Sequence, residues 1–240
     1  MADEPGRSLP SSPDVTSFVL LPGAGSDSWY WHRVIPLLEA AGHEALAVDL
    51  PVDDDSAGLD RYVDVAVAAV EAELPGRQDL VVVAQSMGAF TAPLLVGRVP
   101  VAELVLVVPM IAAPGERLGD WWDSTQLAQA RQEAEAAGGP PADDWDPERM
   151  FLHDVPPEVA AASGDHVTEQ SDRPSQDVWP LDAWPDVPIR VVIGRDDRLF
   201  PRAFQRRVVH ERLGIVPDEL PGGHLPALAR PDELVSYLLS

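Results

Sequence analysis

Ser86 ends the apolar run Leu80-Val81-Val82-Val83 and is flanked two residues away on each side by a small residue, in Ala84-Gln85-Ser86-Met87-Gly88. A β-branched run stopping at such a serine predicts a strand, a tight turn and a helix. The hydroxyl then projects above the strand end from a strained backbone. The flanks must be small because strand and helix backbones approach closely there. Two further reactive types follow apolar, strand-like runs. Asp196 and Asp197 lie in Gly194-Arg195-Asp196-Asp197-Arg198, directly after Ile189-Arg190-Val191-Val192-Ile193, and His224 lies in Gly222-Gly223-His224. A serine hydroxyl is a weak nucleophile until a base takes its proton, and an imidazole oriented by a carboxylate is such a base. Nucleophilic attack on an acyl carbon is the chemistry this set could support.

These residues need a scaffold that brings strand ends together. The pattern supplies strands at Ser17 to Leu21, Glu44 to Val48, Leu80 to Val83, Glu103 to Val108, at Ile189 and near Ile215 to Leu220. Helices are expected over Ser28 to Ala41 and Leu59 to Leu74, from Ser86 to about Arg98, over Thr125 to Ala137 and Arg202 to Leu213, and from Pro231. Strand–helix alternation with near-continuous apolar strands implies a parallel sheet covered on both faces. Residues 1–14, rich in Pro, Ser and Gly, read as a disordered lead-in. A single domain then spans 15–240. From about 110 to 184 the alternation breaks into a stretch holding Trp121, Trp122, Trp145, Trp179 and Trp184, an inserted helical lid.

The chain has no cysteine, which excludes disulfides and thiolate metal sites. A net charge of −23 disfavours nucleic acid and anionic membrane surfaces as partners. Neither a signal-peptide pattern nor a membrane-length apolar run is present, so a cytoplasmic location is expected. The histidines at 32, 43, 153, 166 and 210 lack zinc-ligand spacing; of these, His153-Asp154 in the lid is the pair to watch. Gly23-x-Gly25 lacks the third glycine and the acidic partner of a dinucleotide loop. No cofactor and no metal are expected, the partner is a small-molecule substrate, and a homodimer is left open.

The order Ser, Asp, His, together with Phe18-Val19-Leu20-Leu21, Trp29-Tyr30-Trp31-His32, Pro36 to His43, Val48-Asp49-Leu50, Asp197 to Phe200 and Phe204-Gln205, resembles the α/β-hydrolase superfamily. The chain is most similar to its short subgroup of plant methylesterases and hydroxynitrile lyases. The resemblance implies an α/β-hydrolase fold of about six mostly parallel strands with helices on both faces. It implies Ser86 as nucleophile, His224 as base and Asp197 rather than Asp196 as the acid, leaving Asp196 a solvated neighbour. The oxyanion hole would be the backbone N–H groups of Ala24 and Met87. Met110, Trp121, Trp122 and Leu225 are the expected substrate-binding residues, in an apolar pocket with Met87 and Ile111.

Two departures stand out. Pro22-Gly23 replaces the superfamily's frequent His-Gly pair, and Leu225 stands where the lyases resemble one another in a lysine. The implied activity is a cofactor-independent serine hydrolase, a carboxylesterase for a small or medium apolar ester. The alternatives are a ligand-binding or receptor-like homologue with little turnover and a non-hydrolytic lyase using the same three residues.

Overall fold

Six strands pair into one sheet in a computed structural model that describes residues 15–240; the lead-in expected over 1–14 lies outside them. The strands are β1 (Ser17–Leu21), β2 (Glu44–Ala47), β3 (Leu80–Gln85), β4 (Val101–Val107), β5 (Ile189–Gly194) and β6 (Asp218–Leu220). They lie side by side in the order β2-β1-β3-β4-β5-β6, every neighbouring pair parallel. β3 is therefore central, and its carboxyl end opens between those of β1 and β4.

Side chains alternate between the two faces, as the pleat demands. Val19 and Leu21 of β1 join one core, while Phe18 and Leu20 join the other. The first face is covered by α2 (Leu59–Glu73) and α7 (Arg202–Leu213). α2 buries Leu59, Tyr62, Val63, Ala66, Val67 and Val70, the stripe that a 3.6-residue period places on one side. The second face is covered by a 3-10 turn at Ser28–Trp31, α1 (Ile35–Ala40) and the carboxyl-terminal α8 (Pro226–Ala229) and α9 (Pro231–Leu238).

Two expected helices are interrupted, each at a proline. The helix expected over Ser28 to Ala41 splits into the 3-10 turn and α1, with Pro36 in the first turn of α1. The helix expected from Ser86 to Arg98 is instead two 3-10 turns, Ser86–Phe90 and Ala92–Leu95, with Pro93 opening the second. Proline has no N–H for an i−4 carbonyl and its ring collides with it, so it is accommodated where a helix starts and not inside one.

Between β4 and β5 lies the insertion, with α3 (Trp121–Ser124), α4 (Leu127–Ala136), α5 (Pro147–Met150) and α6 (Pro157–Ser163). Three of its indoles are pinned by hydrogen bonds to backbone carbonyls: Trp121 Nε1 donates to Ile111, Trp179 Nε1 to Phe90 and Trp184 Nε1 to Ala112. A buried indole N–H needs such a partner; the Trp121 and Trp184 bonds hold the start of the insertion to its later parts, and the Trp179 bond ties the insertion to the turn after β3. Among the described residues no helix is long and apolar enough to cross a membrane.

Candidate active site

Ser86 follows the last residue of β3 with φ at +50°, a left-handed conformation that costs a non-glycine residue energy. The turn is held from three directions. Ser86 O accepts the Met110 N–H at 3.0 Å, which ties it to the end of β4. Gly88 lies under the loop after β1, where a Cβ would stand 2.6 Å from Pro22 O. Ala84, two residues before, is fully buried and pairs with Leu21 and Leu106 of the flanking strands. Sequence, strain and close backbone approach thus coincide at one serine.

Asp197 and His224 come from the ends of β5 and β6. The buried imidazole accepts or donates on both sides: Nδ1 lies 2.8 Å from Asp197 Oδ2, and Nε2 lies 3.1 Å from Ser86 Oγ. A carboxylate can only accept, so the ring proton sits on Nδ1 and Nε2 accepts from the serine hydroxyl. The second carboxylate oxygen, Asp197 Oδ1, accepts the N–H groups of Leu199 and Phe200, both at 2.9 Å. Asp197 is thereby fixed before it meets the ring. Phe200 stands edge-on to the imidazole at 4.9 Å between centroids, and Phe151 of the insertion at 5.6 Å. Gln85 Nε2 donates to the His224 carbonyl at 3.0 Å, so the residue before the serine also holds the histidine's backbone. The spacing of reactive types did not reveal these roles; Gln85 directly precedes Ser86 and Phe200 lies three residues after Asp197, whereas Phe151 reaches His224 from the insertion with no local sign.

Asp196 is exposed, as expected, yet it is more than a solvated neighbour. Its Oδ2 accepts the Gly222 N–H at 3.0 Å and its own N–H donates to Gly222 O at 2.9 Å.

A cavity of about 500 Å³ opens above the serine. Ala24, Met87, Met110, Trp122 and Leu225 line it, as do the unforeseen Phe90, Phe151 and Phe200. Trp121 does not: it is fully buried and packs against Phe200 and Phe204, its N–H turned to the Ile111 carbonyl. The expectation of a pocket role for Trp121 is corrected accordingly, and the neighbouring Trp122, 41% exposed, occupies the wall. Ile111 is likewise a core residue. Among the described residues no arginine lines the cavity, whereas Asp27 and Asp172 do.

Tyr30 also lines the cavity, completely buried beside the catalytic carboxylate candidate. Burial pushes its phenol pKa far up, and the negative charges of Asp197 and Asp154 push it further, so the ring stays neutral. Trp29 is stacked between His32 and His166 at 4.0 and 4.4 Å, and His166 Nδ1 lies 2.9 Å from Asp27 Oδ2. Trp29, His166 and Asp27 all line the cavity.

Residues 18–237 match the sequence profile of the alpha/beta hydrolase family. A probable esterase of rice, PIR7A (Oryza sativa subsp. indica), is 36% identical over 111 residues, 42% of this chain and 42% of its own length. Methylesterase 2 of Arabidopsis thaliana is 31% identical over 91 residues, 35% of this chain and 34% of its own. The chain thus aligns with only about two fifths or less of these relatives' lengths. In three dimensions, polyneuridine aldehyde esterase superposes with a TM-score of 0.75 at 20% identity, covering 94% of this chain and 98% of that one. A pyrethroid hydrolase from Sphingobium faniae JZ-2 superposes with a TM-score of 0.72 at 22% identity, covering 94% and 96%. At these identities the structural likeness concerns the fold.

Proposed function

The chain belongs to the alpha/beta hydrolase family, and we propose that within it this protein is a cofactor-independent serine esterase that works through an acyl-enzyme. The observation that carries the reading is the hydrogen-bonded series Ser86 Oγ, His224 Nε2, His224 Nδ1 and Asp197 Oδ2 at the floor of an apolar cavity. Esterase-named relatives support it from the side of sequence.

In this reading Ser86 Oγ attacks the ester carbonyl carbon while its proton passes to His224 Nε2. Asp197 stabilises the imidazolium without taking a proton. The carbonyl oxygen, now carrying negative charge, is met by the backbone N–H groups of Ala24 and Met87. Donors preset in this way are worth about 3 kcal/mol each in comparable sites. The C–O bond to the leaving alcohol breaks as His224 returns the proton to it. Water, deprotonated by the same nitrogen, then attacks the acyl carbon and frees Ser86.

The cavity supports a neutral, apolar ester. Its wall of methionine, phenylalanine and tryptophan gains from covering apolar surface. A carboxylate-bearing substrate would find two aspartates there and, among the described residues, no arginine. The protein's large negative charge adds a long-range repulsion.

Incubation with a fluorophosphonate probe, followed by peptide mapping, tests the assignment together with hydrolysis of short p-nitrophenyl esters. Labelling at Ser86 and hydrolysis abolished in Ser86→Ala are expected. Hydrolysis undiminished in that variant would overturn the reading.

A further inference from the structure

The insertion reaches both loops that frame Ser86, and each time one of its side chains accepts a backbone N–H. Gln170 Oε1 accepts from Gly25 at 3.1 Å, one residue past Ala24. Asp154 Oδ2 accepts from Gly223 at 2.8 Å, one residue before His224. At both glycines the insertion lies directly on the backbone. A Cβ on Gly25 would stand 2.6 Å from Thr168 O, and one on Gly223 would stand 2.6 Å from His153 Nε2.

Gln170 is oriented unambiguously. Its Nε2 faces three acceptors, Val52 O at 3.2 Å, Tyr62 Oη at 3.0 Å and Ser171 O at 3.0 Å, so only Oε1 can turn toward Gly25. The same loop is held from its carbonyl side, where Thr168 N–H donates to Gly25 O at 2.9 Å and Ser26 bridges Val167. Gly25 adopts φ of +62°, so the loop bends where the insertion grips it. The peptide that carries the Ala24 N–H is the next one back along the chain. On the opposite side, Asp154 and Asp196 take consecutive N–H groups, those of Gly223 and Gly222, immediately ahead of His224.

We infer that Gln170 and Asp154 are positioning residues: acceptors carried by the insertion that set the oxyanion loop through Gly25 and the histidine loop through Gly223, so that the reactive geometry is complete only when the insertion is docked. This rests on the esterase reading. Neither side chain needs to touch the reacting atoms. Gln170 fixes the peptide plane next to the one that carries the Ala24 N–H, and Asp154 fixes the backbone just ahead of the residue whose ring meets Ser86; displacements of about 1 Å at such positions cost up to about 100-fold in rate.

The test compares Q170M, D154L and D154N with the full-length wild type on a p-nitrophenyl ester. Rates are taken per active site, counted by fluorophosphonate titration. Q170M and D154L are expected to lose about 10- to 100-fold in kcat with KM changed less than about threefold. Their affinity for a trifluoromethyl ketone, which mimics the tetrahedral intermediate, should fall by a similar factor. D154N keeps an oxygen for the Gly223 N–H and should stay within about threefold of wild type. A merely structural role would lower the count of titratable sites and the melting temperature while leaving kcat per site intact.

Wild-type kcat per site in both Q170M and D154L overturns the inference, and so does a D154N loss as large as that of D154L. Should Q170M or D154L not fold, hydrogen exchange on the wild type decides. Gly25 and Gly223 amides protected together with 153–170 support the inference, and exchange at open-loop rates overturns it. Absence of Ser86-dependent hydrolysis in the wild type would sink the esterase reading instead, a result distinct from active wild type with unaffected variants.

Discussion

Asp196 and Asp197, adjacent in the chain, hold opposite ends of one short loop. Asp197 Oδ2 lies 2.8 Å from the His224 ring, while Asp196 Oδ2 takes the Gly222 N–H at 3.0 Å, two residues earlier. One carboxylate orients the imidazole and the other orients the backbone that delivers it. Gly194 makes room for this arrangement, since a Cβ there would stand 2.5 Å from Gly223 O.

The two aspartates should therefore separate cleanly in kinetics. Asp197→Asn leaves the shape but lets the ring take the wrong tautomer, and a loss of about 10⁴-fold in kcat is expected. Asp196→Asn keeps an acceptor for Gly222 and should stay near wild type, while Asp196→Ala should lose no more than about 10-fold. Steady-state rates on one ester check all three, and equal losses in Asp197→Asn and Asp196→Ala would contradict the assignment.

The flanks of Ser86 are not equivalent, although both are small. Ala84 is accommodated between Leu21 and Leu106 with its methyl group in the core, whereas Gly88 has Pro22 O where a Cβ would go. Gly88→Ala should cost about 1–3 kcal/mol through overpacking and lower kcat by displacing the turn. Ala84→Gly should cost about 1 kcal/mol, mostly through added freedom of the unfolded strand, with kcat retained. Urea unfolding alongside kinetics measures both, and a loss of stability in Ala84→Gly exceeding that in Gly88→Ala would reverse the steric argument.

The sheet, and the positions of Ser86 and Asp197 beyond strand ends, were legible because they are written locally. Val81 to Val83 read as a buried strand, and Ser86 and Asp197 each follow such a run, whereas His224 follows the short, partly exposed Asp218-Glu219-Leu220. The helices expected across Pro36 and Pro93 were not legible as drawn, because apolar spacing outweighed the missing proline N–H in that reading. The grips on the loops were hidden for another reason. Gln170 meets Gly25 across 145 positions and Asp154 meets Gly223 across 69, so no local pattern links them. His153-Asp154 drew attention only as an adjacent pair, and in the structure Asp154 Oδ1 lies 3.9 Å from His153 Nε2 while Oδ2 takes the Gly223 N–H.

Trp121 and Trp122 pose the same lesson in one dipeptide, and their variants should differ in kind. Trp121 fills a fully buried site against Phe200 and Phe204, so Trp121→Ala should cost about 3–5 kcal/mol of stability. Trp122 lines the cavity with much of its ring exposed. Trp122→Ala should change stability by less than about 1 kcal/mol and instead raise KM for bulky apolar esters. Thermal melts and a substrate-length series distinguish the outcomes; a KM effect confined to Trp121→Ala would restore the original expectation for that residue.

Glu116 makes the stability of the insertion depend on pH. Burial raises its pKa, but hydrogen bonds from Arg212, Ser124 and the Ala113 N–H outweigh burial, and its carboxyl is held below the ordinary 4.5. Arg212 Nη1 and Nη2 reach Glu116 Oε2 and Oε1 at 2.5 and 2.9 Å, joining α7 to the base of the insertion. Because the folded value is lowered, the unfolded chain binds the proton first as pH falls. The ion pair therefore contributes fully above pH 4.5, and its contribution is lost as pH drops through the folded value. Glu116→Gln should be destabilised by about 2–3 kcal/mol at neutral pH, below the range for breaking a fully buried pair, since Arg212 reaches the solvent edge. That gap should begin to narrow below pH 4.5 and close only once pH has fallen through the lower folded value, where the wild-type side chain is as uncharged as the glutamine. Urea unfolding of both proteins between neutral and acid pH measures the gap directly, and a difference that stays constant across the range would show that Glu116 titrates alike in the folded and unfolded chains.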